Sequence, residues 1–125
     1  MGISEEIREE IRRIERMRTE QLGKFMIKKF LAVFILWLLK KRKMHGYEII
    51  KTLQNDGMHR ATPSNVYPIL NNMEKRGYLE VEERMEGKRR KKYYRTSAKG
   101  RAVLMACKKW FARGLKKEFF KEMVG

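Results

Sequence analysis

Cysteine is nearly absent from this chain: Cys107 stands alone among 125 residues. No internal disulfide can form, and a reducing, cytoplasmic setting is expected. Histidine is scarce too, since only His45 and His59 occur, fourteen positions apart and with no cysteine or carboxylate at metal-ligand spacing. No metal site and no cofactor are therefore expected. The nine glycines are scattered singly, so no loop cradles a phosphate, and no serine or cysteine stands in a nucleophile context. An enzyme is not expected. The charged N-terminus lacks the apolar stretch of a signal peptide. The apolar run Phe30–Leu39 has ten residues, where a membrane span needs about 20. It reads as a core helix, and no membrane partner is expected.

Acidic side chains are the other shortage. Fifteen Asp and Glu face thirty-one Lys and Arg, for a net charge of +16. So basic a small protein repels itself unless a polyanion neutralises it, which makes nucleic acid the first partner to consider. The surplus is uneven. Residues 1–23 hold six acidic and five basic side chains, whereas Arg84 to Arg101 holds nine basic and one acidic.

Periodicity gives the element order. Ile3 to about Leu22 reads as an amphipathic helix capped by Ser4, with Ile3, Ile7, Ile11 and Ile14 in a narrow stripe that needs a groove to bury it. Gly23 interrupts, and Lys24–Lys41 follows as a helix apolar almost all round, with Ile27, Phe30, Leu31, Phe34, Ile35 and Leu38 facing inward. Met44-His45-Gly46 reads as a tight turn into a helix from Tyr47 to about Asp56, ended by the breaker cluster Asn55-Asp56-Gly57. Thr62–Gly77 reads as a helix with a capping threonine, Pro63 at its first position and a glycine stop. Tyr78–Met85 and Lys91–Thr96 read as a hairpin turning at Glu86-Gly87. A single helix then runs from Ala98 to near Met123.

The expected fold is mainly α with a small β-hairpin, a winged helix-turn-helix domain (24–97). It lies between an N-terminal amphipathic dimer arm (1–23) and a C-terminal dimerisation helix (98–125). The helix pair at 47–56 and 62–77 has helix-turn-helix spacing, so the second helix is the one expected to enter the major groove. Its polar side carries Ser64, Asn65, Tyr67, Pro68, Asn71, Asn72 and Lys75 and no acidic residue. Asparagine pairs with adenine through two hydrogen bonds. Tyr47, Lys51 and Gln54 share a face of the preceding helix and are expected along the DNA backbone. The hairpin tip, with Lys88, Arg89, Arg90 and Lys91, is a wing for the phosphates or the minor groove. Pro68, well inside the helix, stands against the assignment, because a proline there costs about 3 kcal/mol.

Three segments also match a family: MHGYEIIKTLQ, TPSNVYPILNNMEKRGYLE and GKRRKKYYRTSAKG. Across residues 30–101 the chain resembles the PadR-like winged-helix transcriptional regulators, specifically those with a short, single-helix C-terminal segment. Their pattern joins an HGYEI turn, a helix start with Y-P, an L-E-x-x-G-L helix end and a wing closing in R-K-Y-Y-R-L-T-x-K-G. The resemblance implies a recognition helix at Thr62–Arg76, a wing at Arg84–Arg95 and homodimerisation through the terminal helix. It also accounts for Pro68, which belongs to the Y-P pair. Asn71 and Asn72 depart from the commoner Lys or Arg, Thr96 from leucine, and Ala98 from an acidic residue.

The expected function is a homodimeric, sequence-specific DNA-binding regulator, a repressor, with double-stranded DNA as partner. The alternative is a non-specific architectural DNA binder. Ile7, Ile11, Ile14, Trp110, Phe111, Leu115 and Phe119 are the expected dimer contacts, and a small-molecule effector at that interface would stack on Trp110 and Phe111.

Overall fold

The computed structural model describes residues 5–15 and 19–125. In chain order the elements are α1 (Glu5–Glu15), α2 (Thr19–Lys41), β1 (Met44–His45), α3 (Gly46–Asn55) and α4 (Pro63–Lys75). These are followed by β2 (Leu79–Glu86), β3 (Arg89–Thr96), α5 (Ala98–Phe111) and α6 (Gly114–Val124). The strands form one antiparallel sheet in the order β1-β3-β2. This is the expected mainly helical winged architecture, with three differences of detail.

First, α2 runs through Gly23, which was read as an interruption. A single glycine costs a helix about 1 kcal/mol relative to alanine, too little to break a 23-residue element. Second, Met44-His45 is not a bare turn. It pairs with β3, Met44 opposite Tyr94 and His45 opposite Tyr93, so the hairpin gains a third strand. Third, the C-terminal segment is two helices. Gly114 takes φ +59, a left-handed conformation that glycine adopts without penalty, and α6 starts there.

The core lies among α2, α3, α4 and the sheet. Leu31, Ile35, Leu38 and Leu39 of α2 meet Ile49, Ile50 and Leu53 of α3 and Val66, Leu70 and Met73 of α4, with Met44, Leu79 and Tyr94 closing the sheet side. Phe30, read as inward-facing, is 60% exposed. Together with exposed Val33 and Trp37 it forms a second apolar stripe along α2, while Phe34 beside it packs partly against the core. Thr96, at a position that resemblance associates with leucine, is fully buried, and its hydroxyl donates to the Leu36 carbonyl at 2.6 Å. That bond meets the need of a hydroxyl placed where an apolar side chain would have none.

Helices α3 and α4 stop in the same way. Gly57 and Gly77 have φ of +87 and +77. In α3 the Gly57 N–H reaches the Gln54 carbonyl and the Met58 N–H reaches Leu53; in α4 the Gly77 N–H reaches Glu74 and the Tyr78 N–H reaches Met73. Both are Schellman ends, which use up carbonyls that the helix itself leaves unpaired. They set where α4 begins and where the wing leaves it.

Candidate nucleic-acid interface

Helix α4 presents the face the sequence singled out. Val66, Leu70 and Met73 are buried, while Ser64, Tyr67, Pro68, Asn71, Asn72 and Lys75 are exposed. No carboxylate belongs to that exposed set. The helix runs through Pro68 to Lys75 without interruption. The N–H missing at Pro68 would have met Ser64, and both residues face solvent, where water can serve the carbonyl. Thr62 stands at the N-cap without a side-chain bond; Pro63 makes the first turn by its fixed φ.

Two of the singled-out polar residues are already engaged. Asn65 is half-buried, and its Nδ2 donates to the Arg60 carbonyl at 2.7 Å. Gln54 Nε2 donates to the Ala61 carbonyl at 3.1 Å. Both amides tie down the α3–α4 link and hold the two helices at a set angle. Asn72 accepts from Arg76 Nε at 3.2 Å on the surface. Asn71 is exposed with its amide uncommitted. On α3, Tyr47 and Lys51 are exposed, with the Lys51 ammonium 5.5 Å from the Tyr47 ring centroid.

His45 caps α3, its Nδ1 accepting from the Glu48 N–H at 3.2 Å. Gly46 follows under the ring of Tyr67, where a Cβ would come within 2.7 Å of Cε1. The glycine of the HGYEI turn thus lets the Tyr67 ring of α4 approach the start of α3 closely.

The wing is less positive than its sequence implies. Strand register sets Glu80 opposite Arg95, Glu83 opposite Lys92 and Glu86 opposite Arg89. Lys91 pairs with Glu86 at 2.9 Å, Arg90 with Glu83 at 3.6 Å and Arg95 with Glu80 at 3.4 Å. Tyr93 also hydrogen-bonds Glu86, and this bond, with Lys91, holds the Glu86 carboxyl below its ordinary range. Lys88 sits in the turn, and Lys88 and Arg89 are exposed with no carboxylate at ion-pair distance. Those two, with exposed Lys92, are the cations most ready to meet phosphate.

Between the wing and the helices lies an open groove of about 570 Å³, lined by His45, Gly46, Tyr47 and Tyr67 on one side and Arg89 to Lys92 on the other. Four consecutive basic residues of β3 border it, with alternate side chains on opposite faces of the strand, and two tyrosines stand across from them, an arrangement suited to a phosphodiester strand. Its lining joins three regions separate in sequence: the start of α3, helix α4 and the wing strand β3. Lys92 belongs to this wall and was missed, although the KRRKK run contained the signal. Among the described residues no cluster of His, Cys, Asp and Glu could hold a metal ion, and no helix is long and apolar enough to cross a membrane.

The expected dimer residues lie apart from this groove. Ile7 is 53% exposed, Leu115 81% and Phe119 61%, and Trp110 and Phe111 are exposed on α5. Ile11 and Ile14 fall outside the described side chains.

A profile of the "Transcriptional regulator PadR-like family" matches residues 35–106, from the C-terminal end of α2 through most of α5. The chain belongs to this family. It is a DNA-binding transcription regulator, and the family's members are not enzymes. Among solved structures, a PadR-like transcription factor from Bacteroides fragilis aligns over 82% of this chain and 94% of its own, with TM-score 0.67 and 22% identity. A PadR family regulator from Eggerthella lenta aligns over 82% and 88%, with TM-score 0.65 and 23% identity. A transcriptional regulator from Clostridium thermocellum aligns over 80% and 98%, with TM-score 0.61 and 26% identity. No curated protein matches the chain.

Proposed function

We propose that the protein is a homodimeric, sequence-specific repressor acting in the cytoplasm on double-stranded DNA. The observation that carries the reading is the carboxylate-free face of α4 bordering a cation-walled groove. Asn71, with Ser64 and Lys75, reads bases in the major groove. Tyr47, Lys51 and Tyr67 follow one phosphate strand, and Lys88, Arg89 and Lys92 hold the backbone or minor groove beside it. Repression follows from occupancy, since a dimer on a two-fold operator excludes other proteins from it.

Two copies are needed because apolar surface is left over in one. The α2 stripe of Phe30, Val33 and Trp37 and the α5–α6 residues Trp110, Phe111, Leu115 and Phe119 are all exposed, more than a monomer ordinarily shows to water. The arm of Ile7, Ile11 and Ile14 (residues 1–23), nearly neutral with six acidic and five basic side chains, packs its apolar stripe against the C-terminal segment (98–125) of the partner. An apolar cleft of about 440 Å³, lined by Phe111, Ala112 and Phe120 and rimmed by Lys108, Lys117 and Lys121, is the place for an effector.

Selection of bound fragments from random DNA tests the main claim. A recovered two-fold motif supports the repressor; recovery of no motif, with binding that follows only counterion release, supports an architectural binder. Asn71→Ala should relax preference at one position by about 1–3 kcal/mol. Arg89→Ala should weaken all sequences and reduce the salt slope by about 1. If both variants bind as the parent does, the docking is wrong.

A further inference from the structure

The wing has little to hold its direction. Rungs beyond the pair Glu82–Tyr93 belong to β2 and β3 alone, and Met85, the one large apolar side chain among them, is 63% exposed. Two-stranded ribbons vary widely in twist, and an isolated hairpin is marginal in water. The angle at which the cations meet DNA is therefore set at the base, on the last rung where three strands lie abreast: His45, Tyr93, Glu82.

A side-chain bridge crosses that rung. Lys43, immediately before β1, extends over β3 to Glu82 on the far strand, Nζ to Oε2 at 2.8 Å. Glu82 also accepts from Arg84 Nε at 3.1 Å. The Arg84 guanidinium lies 4.9 Å from the Tyr93 ring centroid, and the His45 ring meets Tyr93 edge-on at 5.4 Å. The two outer strands of the base are thus joined to each other as well as to β3.

We infer that Lys43 and Glu82 are positioning residues, a clamp across the base of the wing that fixes its angle to α4 and so supports selective DNA binding. The Glu82 carboxyl is held down to about 2 by its bond to Lys43 first and to Arg84 second, so the clamp stays charged at any pH at which the protein would meet DNA. Its worth is in orientation, because exposed ion pairs contribute little to stability.

The sign of the effect separates this role from plain charge. Deleting an acid from a DNA-binding surface strengthens binding to every polyanion. A clamp requires the opposite for the preferred site. The consequence for DNA rests on the function proposed above, while the orientation itself is measurable without DNA. Spin labels at Lys88→Cys and Ser64→Cys in a Cys107→Ser background of the full chain report the distance from wing tip to recognition helix. The expected result is one narrow distribution that broadens in Glu82→Gln and in Lys43→Gln, with no further broadening when the two are combined.

In binding assays, Glu82→Gln should hold a random-sequence duplex as tightly as the parent or tighter. Its ratio of selected to random affinity should fall by about fivefold, an effect the size of one exposed but geometrically fixed pair. Distributions as narrow as the parent's overturn the clamp, as does selectivity that survives broadening. If the parent itself shows no preferred DNA, the functional proposal falls, and the distances alone decide the clamp.

Discussion

The winged body and the C-terminal segment are built to different standards of completeness. Every buried residue among those described lies between Leu31 and Gly100, and the body closes a core in which Ile35, Leu39, Ile49, Leu53, Val66 and Leu70 are wholly out of water. Beyond Gly100 nothing is buried. Val103 and Leu104 touch the core, and Trp110, Phe111 and Phe120 gather into a small cluster, with Phe111 and Phe120 centroids 5.2 Å apart. Leu115, Met123 and Val124 are more than 70% exposed. The body thus draws its stability from contacts within one chain. The segment carries apolar surface that only a further partner can cover, and dimerisation is the reading proposed for it.

The contrast can be broken most severely in the body. Leu70→Ala empties a fully enclosed site and should cost about 2–5 kcal/mol, read as a lower denaturation midpoint. Gly100→Ala comes next and tests the junction. A Cβ there would lie 2.3 Å from the Tyr78 carbonyl oxygen, backbone that cannot yield cheaply, and 2.7 Å from Cγ2 of the buried Thr96 side chain. Forcing α5 off the body should cost about 1–3 kcal/mol. Thr96→Val keeps the shape and removes the donor to Leu36, for a loss of about 1 kcal/mol.

Substitutions in the segment should behave otherwise. Leu115→Glu with Phe119→Glu should change unfolding of dilute protein by no more than about 0.5 kcal/mol, yet convert a dimer to a monomer in sedimentation at micromolar concentration. A loss as large as that of Leu70→Ala, independent of concentration, would mean the segment is part of the body's core after all. The smallest effect is acid sensitivity at the wing. Glu82 and Glu86 both have folded pKa values below the ordinary 4.5, Glu82 at about 2. Their contribution is present above 4.5 and lost as pH falls from there toward 2. Distances measured in the spin-labelled protein between pH 7 and 2 should broaden only at the acid end, with the core transition little changed.

Much of the body was legible because its signals are local. Thr62-Pro63 and Gly77 mark the two ends of α4, Asn55-Asp56-Gly57 marks the end of α3, and the spacing of Val66, Leu70 and Met73 gives the buried side. Each depends on the conformational preference of one residue or on helix period, and neither needs a distant partner. The exposed set on α4 followed from the same period. Asn65 and Gln54 escaped that logic: their side chains have base-reading or phosphate-binding chemistry, but each bonds a carbonyl of the α3–α4 link. The split between α5 and α6 was not expected, because helix period alone carries through Gly114, whose left-handed φ is an option that only glycine offers cheaply.

Charge shows the limit most plainly. Counting along the chain from Arg84 to Arg101 finds nine cations and one anion, a count that places the wing among polyanion binders and leaves out the strand before it. Strand pairing then brings Glu80, Glu82 and Glu83 alongside those cations, because a hairpin sets residues well apart in sequence opposite one another across its ladder. Composition and helix period, both read from the sequence by itself, determined that the protein is basic and that its fourth helix has a polar, carboxylate-free face. Only the tertiary structure decided which cations remain unpaired, and that Lys43, 39 residues from Glu82 along the chain, bridges to it. Helix period and capping are written in neighbouring residues, whereas the partner of a charge is chosen by the fold.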